Sequence, residues 1–433
     1  MDHFHHRGGV LHCEDVPLPD LAARVGTPTY VYSSRTLIDH YDRLKAAFAA
    51  LDPLFCYSVK SCGNLSICRL LGERGAGMDV VSGGELFRAM RAGVPASQCV
   101  YAGVGKTDEE IRFALDAGLG WFNVESEQEF ENISRLAREK GVMCRAALRI
   151  NPDVDPRTHT YTSTGKKETK FGVDLERARA FFQRFGRDPH CRLAALHLHI
   201  GSPVYSIDPY VSAITKALAL IDDLTGQGFR IEMLDLGGGF GADYESAQSP
   251  LAADYAASIV PLLRERVAKG LKIILEPGRT IAANAGLLLL RVQYIKQSGA
   301  KTFVICDAGM NALIRPCHYG SFHFIWPVNV APEHVPAKRA REMGMGGLTP
   351  VDVVGPICES GDFLAQDRPL PPVKRGDLLG VFTAGAYGMV MASRYNASPL
   401  PAEVLVDGSR VTVIRERETY DDLIAHERSP RVV

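Results

Sequence analysis

Short runs of β-forming residues alternate with amphipathic helical patterns between residues 54 and 276, and this alternation constrains the fold more than any other feature. The strand-like runs are residues 54–59, 77–81, 99–102, 121–124, 146–150, 194–200, 233–236 and 272–276. Helical patterns lie between them, for example at residues 65–73, 84–92, 108–117, 127–140 and 175–185. Eight strands with intervening helices predict a closed (β/α)8 barrel of the TIM type. An open doubly wound sheet is the competing arrangement, and the number of strands favours the barrel.

The pattern changes after Arg279, where strand-like runs follow one another with few helices between them. These runs are residues 291–295, 302–307, 350–354, 378–383, 402–406 and 410–415. They predict a mostly β C-terminal domain, a sandwich or barrel, at residues 282–433. The N-terminal segment 1–33 is expected to pack with that domain, which leaves residues 34–281 for the α/β barrel.

Composition excludes several classes of protein. The chain of 433 residues has 49 basic and 50 acidic side chains, so no long-range field draws it toward nucleic acid or an anionic membrane. Its longest apolar run, residues 281–290, is well short of the roughly 20 residues that a membrane span needs. Ten cysteines without a C-x-x-C pair, and an N-terminus without an apolar leader core, are typical of reduced thiols in the cytoplasm. The sequence therefore predicts a cytoplasmic protein with no nucleic-acid or membrane partner.

Histidines near the N-terminus raise the question of a metal site. His3, His5 and His6 lie close together, but no pattern of Cys, Asp or Glu ligands follows them. We therefore expect a surface strand or arm there and no metal centre.

Reactive side chains of a barrel lie at the carboxyl ends of its strands, and Lys60 follows the first strand-like run. A lysine in such a place can have a lowered pKa and form a Schiff base with a carbonyl cofactor. A solvated lysine at a strand end is the alternative interpretation. Asp79, after the second run, could pair with that lysine, while Ser82 could cap the next helix.

Further polar groups follow later strands. His197 and His199 face the same side of one strand, where they could bind a metal, stack on an aromatic cofactor or pack in the core. The glycines at 237–239 would let backbone N–H groups close on an anion, typically phosphate. Glu276 could hold a pyridinium nitrogen protonated, and Arg279 could clamp a phosphate or carboxylate. A structural ion pair between these last two is the alternative.

Taken together, seven ordered motifs resemble the fold-type III pyridoxal-phosphate-dependent decarboxylase family almost from end to end. They are Tyr57-Ser-Val-Lys60, Asp79-Val-Val-Ser-Gly-Gly-Glu85, His197-Leu-His-Ile-Gly-Ser202, Gly237-Gly-Gly239, Glu276-Pro-Gly-Arg279, Cys358-Glu-Ser-Gly-Asp362 and Gly385-Ala-Tyr-Gly388. Arg315-Pro-Cys-His-Tyr319 and the tail Glu418-Thr-Tyr-Asp-Asp-Leu resemble the diaminopimelate branch of that family rather than the ornithine branch.

The resemblance implies pyridoxal 5'-phosphate as the cofactor and a role for each motif around it. Lys60 would carry the cofactor as a Schiff base, with Asp79 beside the lysine. His199 would stack on the pyridine ring, and Glu276 would pair with the ring nitrogen. The groups implied around the phosphate are Ser202, Gly238, Gly239, Arg279 and Tyr387.

The resemblance also implies a homodimer with shared active sites. Cys358 and Glu359 would come from the partner subunit, the thiol as the acid near Cα and the carboxylate against the distal ammonium of the substrate. The residues implied at the distal carboxylate are Arg279, Arg315 and Tyr319, with Tyr387 nearby. The implied reaction converts meso-2,6-diaminopimelate to L-lysine and CO₂, the last step of lysine biosynthesis.

Departures from the family pattern leave related functions open. Ser61, Cys62 and Gly63 separate the lysine from Asn64, where Lys-Ala-Asn is common, and Cys317 and His318 bear on substrate fit. The closest alternative is a sister decarboxylase for arginine, ornithine, carboxynorspermidine or a carrier-bound glutamyl group. A racemase on a similar barrel would not need Cys358. A regulatory homologue without activity would be expected to lack Lys60 or Cys358, and both are present.

Overall fold

The computed structural model describes residues 2–155 and 170–427, and it divides them into two compact units. The first, which we call the barrel unit, runs from residue 40 to 241 and from 249 to 280. The second, the β unit, combines residues 2–39, 242–248 and 281–427.

Among the described residues of the barrel unit, eight parallel strands close into a cylinder. In chain order these are β5 (Leu54–Ser58), β6 (Gly77–Val80), β7 (Cys99–Tyr101), β8 (Trp121–Val124), β9 (Cys144–Asn151), β11 (Cys191–Leu198), β12 (Met233–Asp235) and β13 (Lys272–Leu275). Closure is made by pairing of β13 with β5 and of β8 with β9. A short strand, β10 (Val173–Asp174), adds to the end of β9.

Helices precede, separate and follow these strands along the chain. They are α2 (Ser34–Ala47), α3 (Leu65–Gly72), α4 (Gly83–Arg91), α5 (Asp108–Asp116), α6 (Glu127–Lys140), α7 (Leu175–Phe185), α8 (Asp208–Gly226), α9 (Ala252–Ala268) and α10 (Arg279–Ala282). Local chemistry sets their ends. The Thr107 hydroxyl accepts the N–H of Glu110 at 3.2 Å, and the Glu110 carboxylate accepts the N–H of Thr107 at 3.0 Å, so a capping box begins α5. Gly141, with φ of 68°, ends α6 in the left-handed region.

Apolar side chains from most of the barrel strands fill the interior as one cluster. Its buried members are Cys56, Val100, Trp121, Ala147, Ala194, Ala195, Met233 and Ile274. Polar side chains replace them toward the carboxyl ends of the strands, where Ser58, Asp79 and Asp235 are buried. This change from apolar to polar buried side chains locates the candidate site. Burial of a polar group costs free energy, so buried polar groups are usually hydrogen-bonded or functional.

The β unit is built on two sheets of described residues. A small sheet contains β1 (Phe4–Arg7), β2 (Val10–Cys13) and β3 (Val16–Pro17). The members of the large sheet are β4 (Thr29–Ser33), β14 (Gly286–Ser298), β15 (Lys301–Cys306), β16 (Ile325–Pro327), β17 (Thr349–Val354), β18 (Phe363–Leu370), β19 (Leu378–Val381), β20 (Ala402–Asp407) and β21 (Arg410–Arg415). The described residues of this unit also form three short α-helices: α1 (Leu18–Val25), α11 (Arg315–Tyr319) and α12 (Tyr420–Leu423).

The N-terminal segment is an integral part of the large sheet, since β4 pairs with β14 on one side and β20 on the other. The predicted fold class, a TIM-like barrel with a β-rich domain that takes in the N-terminus, is therefore confirmed. His5 and His6 lie on the strand β1, in the small sheet. None of the helices in the described residues has the length and apolar character required to cross a lipid bilayer.

Candidate active site

Barrel closure gathers polar side chains from separate strands at one end of the cylinder. Five of them are almost completely buried, with exposures from 0% to 3%: Asp79, Asn123, His197, Asp235 and Glu276. Strand register places His197 beside Asp235 on neighbouring strands. Alternation along each strand turns these residues inward, so groups far apart in sequence share one interior.

Lys60 lies just beyond the end of β5, in the single 3₁₀ turn Val59–Ser61. Its Nζ donates to the carboxylate of Asp79 and approaches the Ser58 hydroxyl at 3.4 Å. The Ser58 hydroxyl donates to Asp79 Oδ2 at 2.5 Å. The Lys60 side chain is 32% exposed whereas that of Asp79 is 0% exposed. The lysine side chain is therefore partly open to solvent, and its counter-ion is not.

Asp79 forms an ion pair with Lys60. Ser82 has the role of a helix cap that was considered for it from the sequence. The Ser82 hydroxyl accepts the N–H of Glu85 at 3.2 Å and caps α4. Burial and the neighbouring charge of Glu276 raise the pKa of Asp79 despite the attraction of Lys60.

Glu276 follows β13 and is held from two sides. The Asn123 amide donates to Glu276 Oε1 at 3.2 Å, and His197 Nε2 lies 3.4 Å from Glu276 Oε2. Burial opposes ionisation of Glu276, but the charges of His197 and Lys60 outweigh it and hold the pKa of Glu276 below its usual value. Glu276 is therefore an anion in the interior.

His199 follows β11 and lies against the glycine segment. Its Nδ1 accepts the N–H of Gly238 at 3.3 Å. Burial, together with the charges of Arg149 and Lys60, lowers the pKa of His199 well below its ordinary value. The imidazole is neutral at physiological pH, which suits stacking on an electron-poor ring.

The glycine segment after β12 approaches other backbone too closely for any side chain. A Cβ on Gly238 would lie 2.3 Å from the carbonyl oxygen of Glu276, and one on Gly239 would lie 2.4 Å from that of Gly201. Beside it, Arg279 Nε donates to the Ser202 hydroxyl at 3.0 Å, and the Arg279 side chain is buried. The Ser202 hydroxyl and the Arg279 guanidinium, beside glycines that carry no side chain, suit an anion such as phosphate, and we call this group of residues the anion cradle.

Arg315 and Tyr319 lie together on α11 in the β unit. The guanidinium carbon of Arg315 is 5.7 Å from the centre of the Tyr319 ring and 5.2 Å from that of Tyr244. Arg315 is buried and donates to the Ser321 hydroxyl at 3.2 Å. Such a fixed cation suits recognition of a carboxylate.

Cys358 and Glu359 occupy an exposed turn of the β unit. Buried Asp362 shapes this turn by accepting the N–H groups of Met310 at 2.6 Å and Ile357 at 2.7 Å. Tyr387 lies in another turn, where its φ of 55° is unusual for a residue with a side chain. Strained turns of this kind are often found at functional sites.

Sequence reasoning missed Asn123 and Asp235. Asn123 is a polar residue inside the strand-like run Trp121–Val124, and Asp235 ends β12, two residues before the first of the three glycines. Both signals were visible, but only the closed barrel shows that the Asn123 amide joins Asp235, at 3.3 Å, to Glu276.

Residues 34–283 match the family model described as "Pyridoxal-dependent decarboxylase, pyridoxal binding domain". With the barrel, the strand-end lysine and the anion cradle, this match defines the class as the pyridoxal-dependent decarboxylases. The chain is 44% identical to the diaminopimelate decarboxylase of Aquifex aeolicus (98% of this chain, 96% of the relative). It is also 44% identical to that of Pseudomonas aeruginosa (99% of each chain). The crystal structure of diaminopimelate decarboxylase from M. jannaschii in complex with L-lysine matches with a TM-score of 0.91 at 36% identity (99% of this chain, 98% of that one). The chain belongs to the diaminopimelate decarboxylase family, whose cofactor is pyridoxal 5'-phosphate.

Proposed function

We propose that this protein decarboxylates meso-2,6-diaminopimelate to L-lysine and CO₂ with pyridoxal 5'-phosphate. The observation that carries the proposal is the amine of Lys60 at the end of β5, held by the buried carboxylate of Asp79. Relatives at 44% identity over nearly the whole chain are named for this reaction, and two structural relatives carry L-lysine.

The residues of the barrel unit fit the cofactor. Lys60 supplies the amine that bonds covalently to an aldehyde, and the Gly238–Gly239 backbone with Ser202 and Arg279 supplies a cradle for its phosphate. His199 supplies a neutral flat ring. Arg279 thus provides a cation for the phosphate of the cofactor, and Asp79 and Glu276 provide carboxyl groups for its amine partner and its ring nitrogen.

When bound, the cofactor ring supplies an electron sink for the pair of electrons left by CO₂. Glu276, kept anionic by His197 and Lys60, holds a proton on the ring nitrogen. Asp79 holds or accepts the proton that Lys60 exchanges as its amine enters and leaves the reaction. Because both acids are buried, water does not weaken these charges.

The groups that we assign to the substrate belong to the β unit, except Arg279, which belongs to the barrel unit. Arg315 and Tyr319 bind the distal carboxylate, together with Arg279 and Tyr387. Cys358 gives a proton to Cα, and Glu359 binds the distal ammonium. Exposure of Cys358 and Glu359 supports their action in a second copy of the chain, so we propose a homodimer with shared sites. All ten cysteines are free thiols, which supports a reducing compartment such as the cytoplasm.

Product analysis by mass spectrometry tests this function. Purified protein with added pyridoxal phosphate receives meso-diaminopimelate, and Lys60→Ala serves as the control. We expect lysine and CO₂ from wild type alone, together with a cofactor absorbance band that the variant lacks. A cofactor band that depends on Lys60, without release of the product lysine, would support the cofactor chemistry but reject diaminopimelate as the substrate. The substrates of the sister decarboxylases would then be compared side by side.

A further inference from the structure

Two carboxyl groups lie side by side in the barrel interior beneath the proposed cofactor site. Asp235 is 0% exposed and Glu276 is 3% exposed. The Asn123 amide donates to Asp235 at 3.3 Å and to Glu276 at 3.2 Å. One carboxylate oxygen of Asp235, one of Glu276 and one ring nitrogen of His197 all lie within 4.8 Å of one another. Two carboxylates this close in a dry interior do not both ionise, because each opposes the charge of the other.

The surroundings decide which of the two keeps the charge. Glu276 faces His197 at 3.4 Å and the amine of Lys60, both of which favour an anion. Among the described residues, the hydrogen-bond donors to Asp235 are neutral: the N–H of Gly237 at 2.9 Å and the Asn123 amide. Burial and the charge of Glu276 raise the pKa of Asp235 well above its usual value, in agreement with this geometry. The titratable groups that face the pair from the surrounding strands are Cys56, Lys60, Asp79, His197 and His199.

We propose that Asp235 is a positioning residue that remains a neutral carboxylic acid, so that the buried pair carries one negative charge and that charge lies on Glu276. This inference rests on the proposed function, in which Glu276 meets the ring nitrogen of pyridoxal phosphate. One negative charge matches one protonated ring nitrogen. If Asp235 also ionised, its negative charge would attract a further proton or cation into the same space, and the single negative charge would no longer match the single protonated ring nitrogen.

Infrared spectroscopy of the full-length protein, with and without pyridoxal phosphate, tests the protonation state directly. The difference spectrum of wild type minus Asp235→Asn at neutral pH should show the C=O stretching band of a protonated carboxylic acid. Glu276→Gln is the second variant. Since the charge of Glu276 favours the neutral form of Asp235, this band should titrate away at a lower pH in Glu276→Gln, by about one pH unit or more.

The pH dependence of stability gives an independent readout. A raised carboxyl pKa means that Asp235 takes up a proton on folding, so its contribution to wild-type stability falls as pH rises. Asn binds no proton, and the melting temperature of Asp235→Asn should therefore gain on wild type as pH rises above the usual carboxyl pKa of about 4, until Asp235 ionises in the folded protein. Exposed Asp20→Asn should show no such widening.

Three results would overturn the inference: no carboxylic acid band, a stability difference that does not change with pH, or a stoichiometric divalent metal lost in Asp235→Asn. The last result would mean that Asp235 is an ionised ligand. None of these measurements requires turnover. A protein that fails to make lysine but shows the band would contradict the proposed function alone, and a protein that makes lysine without the band would contradict only the inference.

Discussion

The imidazole Nε2 of His197 lies 3.4 Å from the carboxylate Oε2 of Glu276, and both side chains are buried, at 1% and 3% exposure. Among the described residues, no other basic side chain forms a salt bridge with this carboxylate. The ring nitrogens of His197 have no well-aligned hydrogen-bond partner in the described part of the chain, so the contact with Glu276 is mainly electrostatic. His197 is therefore the residue that most directly keeps Glu276 ionised.

Removal of this imidazole should make cofactor binding sensitive to acid. A carboxyl with a lowered folded-state pKa stabilises the protein above its usual pKa, and that stability is lost as pH falls through the folded value. In His197→Leu burial raises the pKa of Glu276 instead, so this carboxyl is protonated, and no longer holds a proton on the ring nitrogen, at a higher pH than in wild type. We expect the cofactor band of the variant to fall between about pH 7 and pH 5 and that of wild type to persist. The melting temperature of the cofactor-free variant should gain on wild type over the same fall in pH, because a raised carboxyl pKa means that a proton is taken up on folding. His426→Leu, at an exposed position, is the control. If the cofactor band is lost over the same acidic pH range in wild type and His197→Leu, His197 does not have this function.

Two glycines allow a test of the anion cradle, since both have left-handed backbone but only one is crowded. Gly239 has φ of 97°, and a Cβ there would lie 2.4 Å from the Gly201 carbonyl oxygen and 2.7 Å from the Tyr210 hydroxyl. Gly228 has φ of 86° and open space within 4 Å. Gly228→Ala should cost about 1 kcal/mol of unfolding free energy, whereas Gly239→Ala should cost about 2–4 kcal/mol. Equilibrium denaturation measures both.

Gly239→Ala should also weaken pyridoxal phosphate binding by about tenfold or more, because the displaced backbone no longer meets the phosphate. Titration followed by absorbance gives the affinity. Equal affinities for Gly239→Ala and Gly228→Ala would argue against a phosphate site at this loop.

Recognition of the distal carboxylate should depend on Arg315. Replacement by Leu removes a charge-assisted pair, and we expect KM for diaminopimelate to rise by about 10- to 100-fold. The KM of Arg315→Lys should lie between those of wild type and Arg315→Leu, because the positive charge remains but the planar guanidinium, which can donate two parallel hydrogen bonds, is lost. Arg341→Leu, which removes an exposed arginine stacked on Phe322, serves as the control. An unchanged KM in Arg315→Leu would move the carboxylate site elsewhere.

Shared sites in a homodimer predict recovery of activity from two inactive variants. In a mixture of Lys60→Ala and Cys358→Ala chains, half of the dimers are mixed and each mixed dimer has one complete site. Activity should return to about one quarter of the wild-type value once subunits exchange. Each variant alone supplies the baseline. If the mixture stays at that baseline while mass analysis shows mixed dimers, both residues act within one chain.

Much of the barrel was predictable because its strands are short and bounded by turns and helices. The run at 54–59, for example, corresponds to β5 at Leu54–Ser58. In the β unit the strand predicted at 291–295 was too short, since β14 spans Gly286–Ser298. Residues 286–290 are buried on both faces and pair with β4 and β19, so they lack the alternation that reveals a strand. Only its outer half carries that signal.

The candidate site divides in the same way between sequence and structure. Lys60, His199, the glycines and Glu276 follow strands and belong to recognisable motifs, so the sequence by itself determined the class of cofactor and the family. The partnership of Asn123, Asp235 and Glu276 was decided only by the tertiary structure. These residues lie on β8, on β12 and just after β13, and they meet because the barrel closes. Their charges also depend on the fold, since burial and neighbouring charges, not residue type, determine which carboxyl group in the interior keeps its proton.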